Sequence, residues 1–266
     1  MRGGKEPGIT PKGLLLDLDG VFYVGGETIP GAVACVRLLQ ERDIPHLYLT
    51  NTTTRSLADL EKKLSDLGLE IPADRILSAP AAAYRYLKEK GISHCRLLLR
   101  EPVKADFPGM SDDDGQPEAV VVGDIGGAWS YALLNQTFRD LVAGAQLIAL
   151  HKNRYWQAED GLRLDIGAFV AGLEYAANTE AVIMGKPSTA FFATALESLG
   201  LPATEVAMVG DDIESDVGGA QAAGIQGILV RTGKYRAELA RRTGVHADTE
   251  IESIAQLPDL LTASLG

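Results

Sequence analysis

"LLLDLDGVFYVGG", residues 14–26, poses the problem that decides the fold. Three leucines, the mark of a strand buried in a core, run straight into two carboxylates, Asp17 and Asp19. Burying an unpaired carboxylate is costly enough that a chain avoids it or neutralises it. The rest of the sequence must therefore bring compensating charge to the place where this strand ends.

Outward from that stretch, apolar runs alternate with amphipathic helical patterns, the signature of βαβ units and a parallel sheet. After the run at 14–16, a helical pattern carries Val33, Val36 and Leu39 on one face, and "PHLYLT", 45–50, ends a second strand at Thr50. "RSLADLEKKLSDLG", 55–68, keeps Leu57, Leu60, Leu64 and Leu67 at helical spacing, with Gly68 as its C-terminal cap. The grammar returns late in the chain. "STAFFATALESLG", 188–200, predicts a helix with Ser188 as N-cap and Phe192, Ala195 and Leu199 inward, followed by "EVAMVGDD", 205–212, as a strand. "GILVRTG", 227–233, is a further strand after a helix over 216–223. Between the halves lie the strands "CRLLLR", "AVVVGD" and "AQLIAL", with helices over 81–90, 130–143 and 169–177. The acidic stretch "SDDDGQPE", 111–118, reads as a solvated turn. The expected fold is α/β, a doubly wound parallel sheet built from 1–79 and 182–266, with a second α/β domain inserted at 80–181.

The composition narrows the function classes. A chain of 266 residues, 46% hydrophobic and 23% charged, can bury the cores of two soluble domains. A formal charge of −11 offers no broad basic field, so neither nucleic acid nor an anionic membrane is expected as a partner. No apolar run approaches the roughly 18 residues of a membrane span. Cys35 and Cys95, far apart and without CxxC spacing, predict neither a zinc site nor a disulfide framework; reduced thiols and a cytoplasmic location are expected.

In parallel sheets, ligands sit beyond the carboxyl ends of the strands, where helix N-termini and loop amides converge. Polar signals here obey that rule: Asp17 and Asp19 close the first strand, Thr50 and Asn51 the second, Asp211 and Asp212 the strand "VAMVG". Lys186 in "MGKPS" follows the apolar run "AVIM" and precedes a helix. If the first and late strands are neighbours, Asp17, Asp19, Asp211 and Asp216 meet. Each like-charged pair at about 4 Å then costs roughly 4 kcal/mol at an effective dielectric near 20. Shared protons, Lys186 or a cation could offset that repulsion, and oxygen donors without histidine or cysteine favour magnesium. A decoy, "VVVGDIGGAW" at 120–129, also ends an apolar strand in Gly-Asp, but Trp129 stands five residues on, so Asp124 reads as a structural turn.

"DLDGV" at 17–21, "TNTTT" at 50–54, "GKPS" at 185–188 and "GDDIESD" at 210–216 together resemble the ordered motifs of the haloacid dehalogenase-like superfamily of phosphatases. The order, the apolar run before each and the size of the insertion resemble its NagD-like subgroup, whose cap is inserted between the second and third motifs. The likeness extends over "ALLNQTF", "LIALHKNRYW" and "RTGKYR".

By that resemblance Asp17 is the nucleophile that forms an aspartyl-phosphate, and Asp19 the general acid and base. Dehalogenase members lack a carboxylate at the position of Asp19, so its presence favours phosphoryl chemistry. Thr50, with amides around Asn51 and Thr52, would cradle the phosphoryl group, and Lys186 would neutralise charge on Asp17 and the phosphoryl oxygens. Asp17, Asp211 and the carbonyl of Asp19 would bind Mg2+, with Asp216 and Asp212 behind them. Plain alternatives stand beside these roles: Thr50, Asp211 and Asp212 as helix caps, and Lys186 as a surface lysine in a turn.

The resemblance further implies a substrate-facing loop at "HKNRYW", where His151, Lys152, Asn153, Arg154 and Tyr155 bring positive charge and an aromatic wall. Against it, Tyr155 and Trp156 could pack in the core of the inserted domain and Lys152 could face water. The expected activity is hydrolysis of a small phosphorylated metabolite, with a homodimer formed through the cap. A phosphotransferase or mutase, and a non-catalytic binding protein on the same scaffold, are the rival readings.

Overall fold

A computed structural model describes residues 11–113, 115–158 and 161–263. The stretch that opened the problem forms β1 (Gly13–Asp17), and all five of its residues are buried. An unbroken apolar run rather than an alternating one is what a strand covered on both faces requires. In chain order the other strands of the two larger sheets are β2 (His46–Thr50), β3 (Ile76–Ser78), β4 (Cys95–Leu98), β5 (Ala119–Val122), β6 (Gln146–Ala149), β7 (Val182–Ile183), β8 (Val206–Gly210), β9 (Gln226–Val230) and β10 (Thr249–Ile251). They make two separate sheets, one of order β10-β9-β8-β1-β2-β3 and one of order β7-β6-β5-β4.

The chain folds into two compact units, with 1–50, 61–77 and 186–266 in the first and 51–60 and 78–185 in the second. In the first unit β1 pairs in parallel with β8 on one side and β2 on the other, and β8 and β9 continue the parallel run to β10. The chain thus winds away from β1 in both directions, the doubly wound pattern expected. Helix α1 (Ala32–Glu41) returns the chain from β1 to β2 and buries Ala32, Cys35, Val36 and Leu39. Its period is the expected one, but its phase is set one residue earlier: Cys35 takes an inward place and Val33 is only half-buried. A small thiol among aliphatic residues behaves as a hydrophobe, and burial pushes its pKa up to about 12.

Helix α2 (Leu57–Asp66) begins at Ser56, whose hydroxyl accepts from the Asp59 amide at 3.1 Å, and turns off at Gly68 with φ of 75°. Leu60 and Leu64 are its buried residues. A later helix, Thr189–Leu199, buries Phe192 and Ala195 as its pattern requires, together with Phe191. Ser188 stands at the N-cap position of that helix but its side chain makes no capping bond, and Leu199 is half-buried rather than inward.

The second unit has its own core. Strands β4 to β7 pair in parallel throughout, and Leu98, Val120, Val122, Leu147 and Ala149 meet Leu141, Val170 and Leu173 from the helices Tyr131–Val142 and Gly167–Ala177. The described acidic residues of 111–118 are exposed as expected, yet they are ordered: Asp112 accepts from the Leu97 amide at 3.1 Å and Glu118 from the Ser93 and His94 amides. Among the described residues no helix is long and apolar enough to cross a membrane.

Because β1 is enclosed by two partner strands and Leu15 is fully buried, Leu15→Ala is expected to lower stability by about 2–5 kcal/mol. Leu164→Ala, at a residue 72% exposed, should stay within about 0.5 kcal/mol of the parent. Urea unfolding of the two variants checks both values.

Candidate active site

Parallel register fixes where β1 delivers its carboxylate. Leu16 lies beside Val209 and Asp17 beside Leu49, so Asp17 stands level with the end of β8, one step before Asp211. Beyond Asp211 the chain winds through the π-turn Ile213–Gly218, which carries Asp216 back toward the strand end. Carboxylate oxygens of Asp17, Asp211 and Asp216 all lie within 4.8 Å of one another, and all three residues are buried.

Such a cluster cannot stand without positive charge. Lys186, itself buried, places its Nζ 2.5 Å from Oδ1 of Asp17 and 2.7 Å from Oδ1 of Asp216. Burial alone would lower the lysine pKa, but the charges of Asp17 and Asp216 hold it above the ordinary lysine value. The Lys234 ammonium also feels these charges, yet two ammoniums do not balance three carboxylates. Burial, reinforced by the charges of Asp17 and Asp216, pushes the Asp211 carboxyl well above the usual range, and burial lifts Asp216 to about 6 against the pull of Lys186.

The hydrogen bonds leave Asp211 with a bare acceptor, whereas Asp216 Oδ1 faces Lys186. Oδ2 of Asp211 accepts from the backbone amide of Lys234 at 2.6 Å, while Oδ1 is buried with no hydrogen-bond partner. Buried polar atoms are nearly always paired, so an orphaned carboxylate oxygen marks a place for a ligand. Backbone packs tightly around the acids. Gly20 has φ of 92°, a region open to glycine, and any Cβ there would run into the Asp211 carboxylate. A Cβ on Gly210 would likewise meet Asp216.

The structure brings Asp17, Lys186, Asp211 and Asp216 together, and treats the other expected residues differently. Asp212 accepts from the amides of Glu214 and Ser215 at 3.0 Å and caps the π-turn, the plain alternative for that residue. Asp19 is exposed, at the turn where its backbone bridges Tyr23. Thr50 is buried as the last residue of β2, one step beyond the partner of Asp17. Asn51 and Thr52 are half-buried and belong to the second unit, where Asn51 Oδ1 lies against Gly185.

Within the second unit, His151 is buried with Nε2 3.8 Å from Asp165 Oδ1, and Lys152 pairs with Glu174 at 2.5 Å. The Asn153 carbonyl accepts from the Gly167 amide at 3.0 Å, and Arg154 is exposed. Tyr155 is half exposed at the start of the hairpin Tyr155–Ala158 and Gly161–Leu164, not packed in that unit's core. Asp124 accepts from Gly126 at 2.7 Å and pairs with Arg100 at 2.9 Å, a structural turn as read. Sequence reasoning gave no role to the turn after β9, where Thr232 and Lys234 reach this centre. The same rule of strand ends, applied to "GILVRTG", would have found it.

A haloacid dehalogenase-like hydrolase model matches residues 14–110, and a HAD-hydrolase-like model matches residues 183–265. Haloacid dehalogenase-like hydrolase domain-containing protein 2 of Bos taurus is 42% identical over 226 residues, 85% of this chain and 86% of that protein. Phospholysine phosphohistidine inorganic pyrophosphate phosphatase of Bos taurus is 38% identical over 256 residues, 94% of each chain. Among solved structures, p-nitrophenyl phosphatase from Archaeoglobus fulgidus superposes with a TM-score of 0.88 at 31% identity, covering 97% of this chain and all of that one. With an acid and lysine centre at the carboxyl edge of a parallel sheet and relatives of this extent, the chain belongs to the haloacid dehalogenase-like hydrolases and is a phosphatase.

Proposed function

We propose that this phosphatase hydrolyses a small phosphorylated metabolite through a phosphoryl group carried on Asp17, with Mg2+ as cofactor. The observation that carries the reading is the pairing of Lys186 with Asp17 in one cluster with Asp211, whose Oδ1 is bare. A carboxylate oriented by a buried ammonium, with a second carboxylate left unsatisfied next to it, suits attack on an anionic phosphorus centre. Asp17 attacks phosphorus, and the departing oxygen takes a proton from Asp19. Asp19 then takes a proton from the water that attacks the phosphoaspartate, releasing phosphate and restoring Asp17. The exposure of Asp19 supports this role, because an acid and base must reach both the leaving group and the attacking water. The Thr50 hydroxyl and the amides of Asn51 and Thr52 hold phosphoryl oxygens.

The donor set fits a hard dication: oxygen atoms only, an excess of negative charge and an orphaned acceptor. Asp17, Asp211 and the carbonyl of Asp19 would hold it, while Asp216 stays with Lys186 behind them. When bound, Mg2+ supplies positive charge against the phosphoryl oxygens. Selection of the leaving group falls to the loop of the second unit. Its resemblance to a substrate-facing loop carries this assignment: Arg154 and Tyr155 are exposed, while His151 faces Asp165 and Lys152 pairs with Glu174. An open apolar groove of about 430 Å³ between the helices Tyr131–Val142 and Gly167–Ala177, flanked by exposed Tyr131, supports pairing of two copies through this unit. Two free buried thiols, Cys35 and Cys95, support a cytoplasmic location.

Asp17→Asn keeps the shape of the side chain and removes the nucleophile, so phosphate release should fall by roughly 10³-fold or more with circular dichroism unchanged. Undiminished turnover would assign the attack elsewhere.

The raised acid pKa values also set the response to metal. Asp216 is lifted from 3.8 to about 6, so the folded metal-free protein holds its proton to a higher pH than the unfolded chain does; that contribution to stability is full below pH 4 and is lost as pH rises through 6. Mg2+ needs the ionised cluster. Its addition should therefore raise Tm more at pH 7 than at pH 5, by an amount equivalent to about 2.7 kcal/mol when Mg2+ reaches a hundredfold of its Kd. Differential scanning fluorimetry with and without chelator measures both arms.

A further inference from the structure

The centre contains a turn that lies outside all four of the ordered motifs. It follows β9 and runs through Thr232, Gly233 and Lys234. Thr232 Oγ1 donates to the carbonyl of Gly20 at 2.5 Å, and the Lys234 amide donates to Oδ2 of Asp211 at 2.6 Å. Gly233, with φ of 57°, lies between them, and a Cβ there would overlap both the Asp211 carboxylate and the Gly20 backbone. The Asp211 carboxylate is thus enclosed by two glycines, Gly20 and Gly233, and pinned by one amide.

The electrostatics say why a pin is needed. The charges of Asp17 and Asp216 repel Asp211, and a carboxylate free to rotate would turn its oxygens away from them. A hydrogen bond to Oδ2 from rigid backbone fixes that rotation. It leaves Oδ1 as the bare, buried atom of a carboxylate that clusters with Asp17 and Asp216. Thr232 performs the matching task on the other strand end, since Gly20 directly follows Asp19 and its carbonyl anchors the loop that would present the Asp19 carbonyl.

We propose that the turn of Thr232, Gly233 and Lys234 is a positioning element of the cation site, acting through its main chain and the Thr232 hydroxyl to aim Asp211 Oδ1 and the Asp19 loop at one ion. The inference rests on the Mg2+ reading above and adds residues to it. Lys234 takes part through its amide. Its ammonium, which feels the charges of Asp17, Asp211, Asp212 and Asp216, is a like charge to a dication and opposes loading.

The test is isothermal titration of Mg2+ into the metal-free full chain, with kcat followed against Mg2+ concentration. Thr232→Val and Gly233→Ala are expected to weaken Mg2+ binding about tenfold or more, Thr232→Ser to restore it, and Lys234→Ala to bind at least as tightly as the parent. Excess Mg2+ should return the kcat of Thr232→Val toward the parent value while its circular dichroism stays the same at low and high Mg2+, which rescue of a folding defect would not allow. Thr232→Val carries the test by itself if Gly233→Ala fails to fold. Binding by Thr232→Val within twofold of the parent, while Asp211→Asn loses it, overturns the proposal and leaves the Mg2+ site standing. So does a Lys234→Ala loss as large as that of Thr232→Val. A parent that takes up no Mg2+ overturns the site and the proposal together.

Discussion

A single ammonium buried between Asp17 and Asp216 is the constraint on which the rest of the centre depends. Breaking such a pair leaves an uncompensated charge in the interior, which costs about 3–5 kcal/mol. Lys186 stands 169 positions after Asp17, and it is the first residue of the first unit after the long insertion ends at Gly185. The pair therefore joins the two sequence halves of the first unit. A sheet could form without it, but its two central strands could not both end in carboxylates.

That lysine is too little by itself. The carboxylates outnumber the ammoniums that face them, and the excess appears physically as two acids held above their ordinary pKa and an Asp211 oxygen left bare. In a purely structural cluster each of these would be removed by a second basic side chain or a buried hydroxyl. Here the backbone against the acids is glycine at Gly20, Gly210 and Gly233, so main chain fills space that a donor side chain would otherwise occupy. Stability is given up at the place where chemistry requires unsatisfied charge.

Much of this could be read from residues alone, because the signals were of two strong kinds. An apolar run that stops at a carboxylate is costly unless compensated, so "LLLDLD" and "VAMVGDD" marked both strands and called for a neutralising partner, while their adjacency remained a condition that the parallel pairing of β1 with β8 meets. Hydrophobic period placed the helices, but phase was less secure: on α1, reading Val33 as inward ignored that Cys35 buries as readily as valine. Ser188 shows a similar limit, since a residue type suited to capping does not fix the rotamer that makes the bond. In "GDDIESD" the spacing could not say which aspartate would turn outward. The π-turn decides it, giving Asp212 to the cap and Asp216 to the lysine.

What the residue pattern could not carry was the part played by main chain. An amide donor belongs to every residue except proline, so nothing in the letters "RTGK" distinguishes the one amide that pins Asp211 from its neighbours. Only the positive φ at Gly233 and the absence of room for a Cβ single it out, and both are properties of the folded chain. Side-chain motifs therefore identify which atoms react, and backbone geometry determines where they point. A chain bearing the same aspartates and lysine with a bulkier residue at Gly233 would keep the recognisable motifs and lose the aim of Asp211.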